Sequence, residues 1–124
     1  MDFNYTPEQD AFRAEIRAWV RAALPTGWGD TVHEPLNEAE RAVFKRDWDR
    51  KLFDAGWAGI GWPREYGGRG TTLVEQAIFL EEMARARAPE GLNIVGRNLA
   101  GPTLIHYGTP AQKDRYLRPI LSGE

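Results

Sequence analysis

Apolar positions recur along this chain with helical periods and almost never with the two-residue period of a strand. Phe12, Ile16, Trp19, Val20 and Ala23 form one stripe, which predicts a helix from Pro7 to Leu24, stopped by Pro25. A second helix is predicted from Glu38 to Ala55. Phe44, Trp48, Leu52 and Ala55 are its core face, with Val43 and Phe53 pointing elsewhere. A third runs from Leu73 to Ala88 and is ended by Pro89. Leu73, Val74, Ala77, Ile78, Phe79, Leu80 and Met83 go nearly all the way round it, the pattern of a helix buried between neighbours. Leu92 to Tyr107 reads as a fourth, with Pro102 withdrawing the bond to the Asn98 carbonyl and kinking it. A fifth starts at Pro110 and carries Leu117, Ile120 and Leu121.

Local punctuation supports these boundaries. Thr6-Pro-Glu-Gln9, Asn37-Glu-Ala-Glu40, Thr72-Leu-Val-Glu75 and Thr109-Pro-Ala-Gln112 each fit a capping box. The first side chain caps free N–H groups, and the acid or amide three places on reaches back. Two of them set Pro at the first helical position, where its missing N–H costs nothing. The expectation is an all-α fold, a bundle of about five helices. Thr26–Leu36 reads as a loop. Gly56–Gly70 holds six glycines, two tryptophans and a tyrosine, too many large aromatics for a flexible linker, so it is expected to pack down.

Composition narrows the function classes. A length of 124 residues suits one domain, residues 1–124. Sixteen basic residues stand against eighteen acidic ones, and neither half of the chain is basic enough for a phosphate-backbone partner, so no nucleic acid is expected. The absence of cysteine excludes disulfides, thiol catalysis and cysteine metal sites. The longest run free of charged or strongly polar residues, Ala55–Pro63, is far short of a membrane span. Met1-Asp2 opens no signal peptide, and a cytoplasmic location is expected.

Candidate chemistry is sparse. Gly59-Ile-Gly61-Trp-Pro-Arg64 begins like a dinucleotide fingerprint but has Arg64 at the third glycine and no preceding strand, so a packed turn is the better reading. His33 and His106 have no ligand partners at helical spacing. His33 is expected at the surface and His106 in the core, and no metal site is expected. Glu81 and Glu82 interrupt an apolar helix. Adjacent carboxylates can serve as acid or base, but Arg85 is within reach of both, which favours a structural ion-pair cluster. Arg13, Arg17 and Arg21 form a ladder read as a solvated face, with an acidic partner as the alternative. Val95, Gly96, Leu99 and Thr103, with Leu92, make a small-residue and apolar face on the fourth helix. It suits a close helix or a thin apolar ligand, and spacing alone favours the helix.

Several ordered motifs resemble the N-terminal helical domain of the acyl-CoA dehydrogenases. They are Phe3-x-Tyr5-Thr6-Pro7-Glu8-Gln9, the run Leu52-Phe-Asp-Ala-Gly-Trp-Ala-Gly-Ile-Gly-Trp-Pro-Arg-Glu-Tyr-Gly-Gly68, and Leu80-Glu-Glu-Met-Ala-Arg-Ala86. Gly101-Pro-Thr-Leu104, Tyr107-Gly-Thr-Pro-Ala-Gln-Lys113, Tyr116-Leu-Arg-Pro-Ile120 and Ser122-Gly-Glu124 complete the set, which covers essentially the whole chain. The resemblance implies an FAD-dependent enzyme that removes the α proton and a β hydride from an acyl-CoA thioester. It also implies a β domain and a C-terminal helical bundle, or a partner chain, beyond these residues, and a homo- or hetero-oligomer. The base and most flavin contacts of the family lie in those other regions, so no catalytic residue and no FAD ligand is assigned here. The chain alone is expected to be inactive. What carries over is the acyl pocket, at Val95, Gly96, Leu99 and Thr103, with Val95 and Gly96 implying room for a bulky or branched acyl group. The alternative is a non-catalytic helical interaction module, a partner subunit derived from the family, or a free-standing small-molecule binder.

Overall fold

The capping signals are realised as local bonds. In the computed structural model, which describes residues 4–123, Thr6, Thr72 and Thr109 each close a complete capping box with Gln9, Glu75 and Gln112. Asn37 caps through the Glu40 N–H at 3.1 Å. From these caps run α1 (Pro7–Ala23), α2 (Glu38–Asp54), α3 (Leu73–Arg85) and α5 (Pro110–Ser122), with α4 (Gly101–Tyr107) between the last two. The fold is all-α, as expected. Phe3 of the opening motif and Glu124 of the closing one lie outside the described residues.

The chain forms two compact units. One takes in the chain up to His33 together with Thr72–Ala88. Here α1 packs on α3 through Ile16 and Ile78, both fully buried, and Val20. Arg13 and Arg17 reach from α1 to Glu82 on α3, with bonds of 2.6 Å and 2.8 Å to its Oε1. The reading of this ladder as a solvated face is therefore corrected for two of its three members. Sequence distance hid the partner, which is 65 residues away from Arg17. The α3 C-terminus closes with Arg87 in the left-handed region (φ 53°), where its N–H bonds the Ala84 carbonyl and Ala88 N–H bonds Met83. The Trp28 indole N–H holds the Arg87 carbonyl at 3.0 Å, fixing the loop that follows α1 against that helix end.

The other unit comprises Glu34–Thr71 and the chain from Pro89 onward. Its core gathers Ala58, Trp62, Leu117 and Leu121, with Leu52, Phe53, Leu104, Ile105 and Ile120 packed around them. The glycine-rich run is packed down, with Trp57, Ala58 and Trp62 each at most 5% exposed. Gly59 has φ 61° and faces Leu121 and Trp62 so closely that any side chain would overlap them. Arg69 folds back over the Trp57 ring at 3.5 Å and donates to the Gly56 and Ala55 carbonyls at the end of α2, a cation placed at a helix C-terminus.

Apolar exposure follows a pattern the sequence anticipated only in part. Of the two α2 residues off its core face, Val43 is 57% exposed and Phe53 half-buried, and on α3 Phe79 and Met83 are half-buried. The reading of α3 as buried between neighbours is corrected: it is covered on one side, and Leu73, Val74 and Leu80 are open. No helix among the described residues is long and apolar enough to cross a membrane.

Candidate functional site

The fourth predicted helix starts at Ile94 and is not a plain kinked helix. Before α4 the backbone widens into a π turn over Gly96–Ala100, where the Gly101 N–H reaches five residues back to the Gly96 carbonyl. Pro102 explains why. In an ordinary helical register it strands the Asn98 carbonyl, and in the π register the carbonyl it cannot serve is that of Arg97, five residues earlier. That carbonyl receives the Trp62 indole N–H instead, at 2.9 Å. Gly101 is where the same indole passes, and a β-carbon there would overlap its six-membered ring. The glycine-rich loop and Pro102 are thus two halves of one device. Thr103 contributes by donating its hydroxyl to the Leu99 carbonyl at 2.7 Å.

A buried ion pair holds the other side of this segment. Asp49 on α2 accepts the Leu92 N–H at 2.8 Å and the Asn93 N–H at 3.3 Å, so it caps the segment from a different helix. Arg97 donates to Asp49 Oδ1 at 2.7 Å and to the Leu121 carbonyl near the end of α5. Burial pushes the Arg97 guanidinium down, and the Asp49 carboxylate opposes that shift. Asn93 adds a bond to the Ile120 carbonyl. These contacts point Arg97 inward, and Val95 and Leu99 stand on the outside at 67% and 63% exposure.

The four candidate acyl-facing residues fare differently. Val95 and Leu99 form an open apolar strip, continued by exposed Leu92 and Ile94. Thr103 is exposed at its lower end. Gly96 does not open free space, because the Asn93 side chain occupies the place a β-carbon would take. Glu81 and Glu82 form an ion-pair cluster as expected, but Arg85, read as reaching both, bonds only Glu81. Hydrogen bonds from Arg17 and Arg13 hold the Glu82 carboxyl at about 2 against the opposing effect of burial. Glu81 pairs with Arg85 and Arg13. His33 is at the surface, and so is His106, which corrects its placement in the core. His106 sits on the outer side of α4, with its ring 6.2 Å from that of Tyr107. The described residues hold no cluster of three metal-ligating side chains.

The model of the acyl-CoA dehydrogenase N-terminal domain family matches residues 6–124. The chain belongs to this family. It is 42% identical over 116 residues to the acyl-CoA dehydrogenase IpdE1 of Mycolicibacterium smegmatis, covering 92% of this chain and 30% of that protein. It is 37% identical to the acyl-CoA dehydrogenase FadE29 of Mycobacterium tuberculosis, covering 100% of this chain and 30% of that one. Among solved structures it resembles the Tcur3481-Tcur3483 steroid ACAD, with TM-score 0.74 and 36% identity over 99% of this chain and 31% of that one. The ChsE4-ChsE5 complex from Mycobacterium tuberculosis aligns with TM-score 0.74 and 30% identity, over 99% of this chain and 30% of that one. The chain therefore spans about 30% of the length of these relatives. The family implies FAD, but the residues described here do not fit it. The Gly59–Gly68 run, which begins like a dinucleotide fingerprint, is filled by the protein's own Trp62 and Leu121.

Proposed function

We propose that this chain is the N-terminal helical part, one domain over residues 1–124, of an FAD-dependent acyl-CoA dehydrogenase, and that it supplies one wall of the acyl pocket. The observation that carries this reading is the exposed strip of Val95 and Leu99, held outward by a buried scaffold. A scaffold of two tryptophan- and arginine-based locks is a large investment for a surface left in water. The reaction is α,β-dehydrogenation of the thioester, with FAD accepting the hydride in regions beyond these residues. No residue here touches the reacting carbons, and the chain alone should not dehydrogenate.

The acyl group is bulky. Val95 presents a short apolar side chain, and one structural neighbour is named a steroid ACAD. A fused-ring acyl group offers the broad apolar surface that this strip would cover. In the intact enzyme, Val95→Glu places a carboxylate against that surface, at a desolvation cost of several kcal/mol if it stays charged. The test compares kcat/KM for a fused-ring acyl-CoA and for butyryl-CoA. Loss of preference for the fused-ring substrate supports the reading, and an unchanged ratio refutes it.

A second reading, a partner subunit derived from the family, is favoured by one structural neighbour, the ChsE4-ChsE5 complex, whose name joins two chains. Native mass together with activity of the purified chain separates the two: a protein several-fold heavier than 14.0 kDa that dehydrogenates an acyl-CoA without a second chain supports the first reading, and one that needs a second chain supports the other.

A further inference from the structure

A concave site lies in the unit built from α1 and α3, with no part in the acyl strip. It is a half-open cleft of about 650 Å³, within the range of small-molecule sites. Its apolar surface comes from Val20, Leu24, Pro25, Trp28 and Ala86. The Trp28 indole N–H is committed to the Arg87 carbonyl, so Trp28 offers the cleft its ring rather than a donor. Its ionic lining is Arg17, Arg21 and Arg85 against Glu82 alone. Glu82 is already satisfied by three hydrogen bonds, one from Arg13 and two from Arg17. Arg85 spends one nitrogen on Glu81, and Arg21 meets no carboxylate among the described residues.

With Arg13 and Glu81, which complete the same ion-pair cluster, four arginines stand against two glutamates, an excess of two positive charges beside an aromatic and aliphatic wall. A carboxylate would balance one of them. A phosphate monoester carries close to two negative charges at neutral pH and has several acceptor oxygens for guanidinium donors. A flat ring attached to it finds surfaces suited to stacking, the indole of Trp28 and the planar arginine groups. The turn that carries Trp28 is closed by the Trp28 N–H on the Pro25 carbonyl, with Gly27 at φ 85°. The left-handed Arg87 sits at the same helix end, an unfavourable backbone state held in place by Trp28.

We infer that this cleft binds an aromatic phosphate monoester, with the phosphate on Arg21 and Arg85 and the ring against Trp28 and Leu24. The test is calorimetric titration of the intact purified protein with phenyl phosphate, inorganic phosphate and phenol. Phenyl phosphate is expected to bind saturably with Kd below about 1 mM. Inorganic phosphate should bind at least about fivefold more weakly, and phenol should show no saturable binding, since each lacks one half of the recognition. Arg21→Gln removes an exposed charge and no packing, so it should raise the Kd for phenyl phosphate about tenfold, the value of one charge-assisted hydrogen bond. Absence of saturable heat with phenyl phosphate up to about ten times that Kd would overturn the inference. So would equal affinity for inorganic phosphate, or a Kd left unchanged by Arg21→Gln.

Discussion

Trp62→Phe keeps an aromatic ring in the core and deletes the donor that serves the Arg97 carbonyl. No backbone group can replace it. Gly101 N–H is engaged with Gly96, and Pro102 has none to give. Trp62 is 5% exposed and its bond to the carbonyl is partly buried, which limits the access of water to the orphaned oxygen. A buried acceptor left unpaired costs about 1–3 kcal/mol. The smaller ring adds about 1 kcal/mol for the space it leaves. A total of about 2–4 kcal/mol is a large part of the stability of a chain this size. The expected fall in melting temperature is about 6–15 °C, read by circular dichroism. The decisive control is the double variant with Pro102→Ala. Alanine restores a backbone N–H within reach of the Arg97 carbonyl, so the second substitution should recover about 1 kcal/mol or more of what the first lost. Strict additivity of the two, or a fall under about 2 °C for Trp62→Phe alone, would refute this origin of the π turn.

The remaining predictions concern the two buried charge clusters and the glycine under the indole. Asp49→Asn leaves Arg97 without its countercharge in a site where it is 10% exposed, and stability should drop by about 3–5 kcal/mol in denaturant titration. A loss under about 1 kcal/mol would mean that the pair does not hold the segment. The Glu82 carboxyl is depressed from 4.5 to about 2, so its contribution is complete above pH 4.5 and disappears as pH falls toward 2. That contribution is at most about 3 kcal/mol. Glu82→Gln should flatten the stability profile across this window, and a profile as steep as that of the parent would show that other carboxyls govern acid unfolding. Gly101→Ala should destabilise by about 1–3 kcal/mol by pushing on Trp62, and this loss should shrink in the Trp62→Phe background, where the clashing ring is smaller.

What the sequence disclosed was local. Capping tetrapeptides and helical stripes act within one turn, and the helices they predict end within a few residues of the observed ones. The fourth-helix strip was legible for the same reason, since Val95 and Leu99 lie four residues apart on one face. The contacts that hold that strip were not legible. Asp49 lies 48 residues from Arg97, and Trp62 is 35 residues from it. A signal was nonetheless present. Arg97 and Asn93 are polar residues within a mostly apolar helix, and such groups are tolerated in a core only with partners. Pro102 likewise announced a carbonyl in need of a donor, although the π register moved that need from Asn98 to Arg97. His106 was misplaced because its position in the helical stripe says nothing about whether a neighbour covers that side. The Arg13 and Arg17 pairing with Glu82 needed α1 and α3 to be adjacent, which periodicity does not specify.

Whether Val95 and Leu99 face an acyl group is tested most directly by a photoreactive fused-ring acyl-CoA, bound to the intact enzyme, irradiated, and mapped by peptide mass spectrometry. Crosslinks are expected within 92–103, concentrated at Val95 and Leu99 and suppressed by excess unlabelled substrate. Suppressible crosslinks that fall entirely outside these residues would contradict the acyl-wall role.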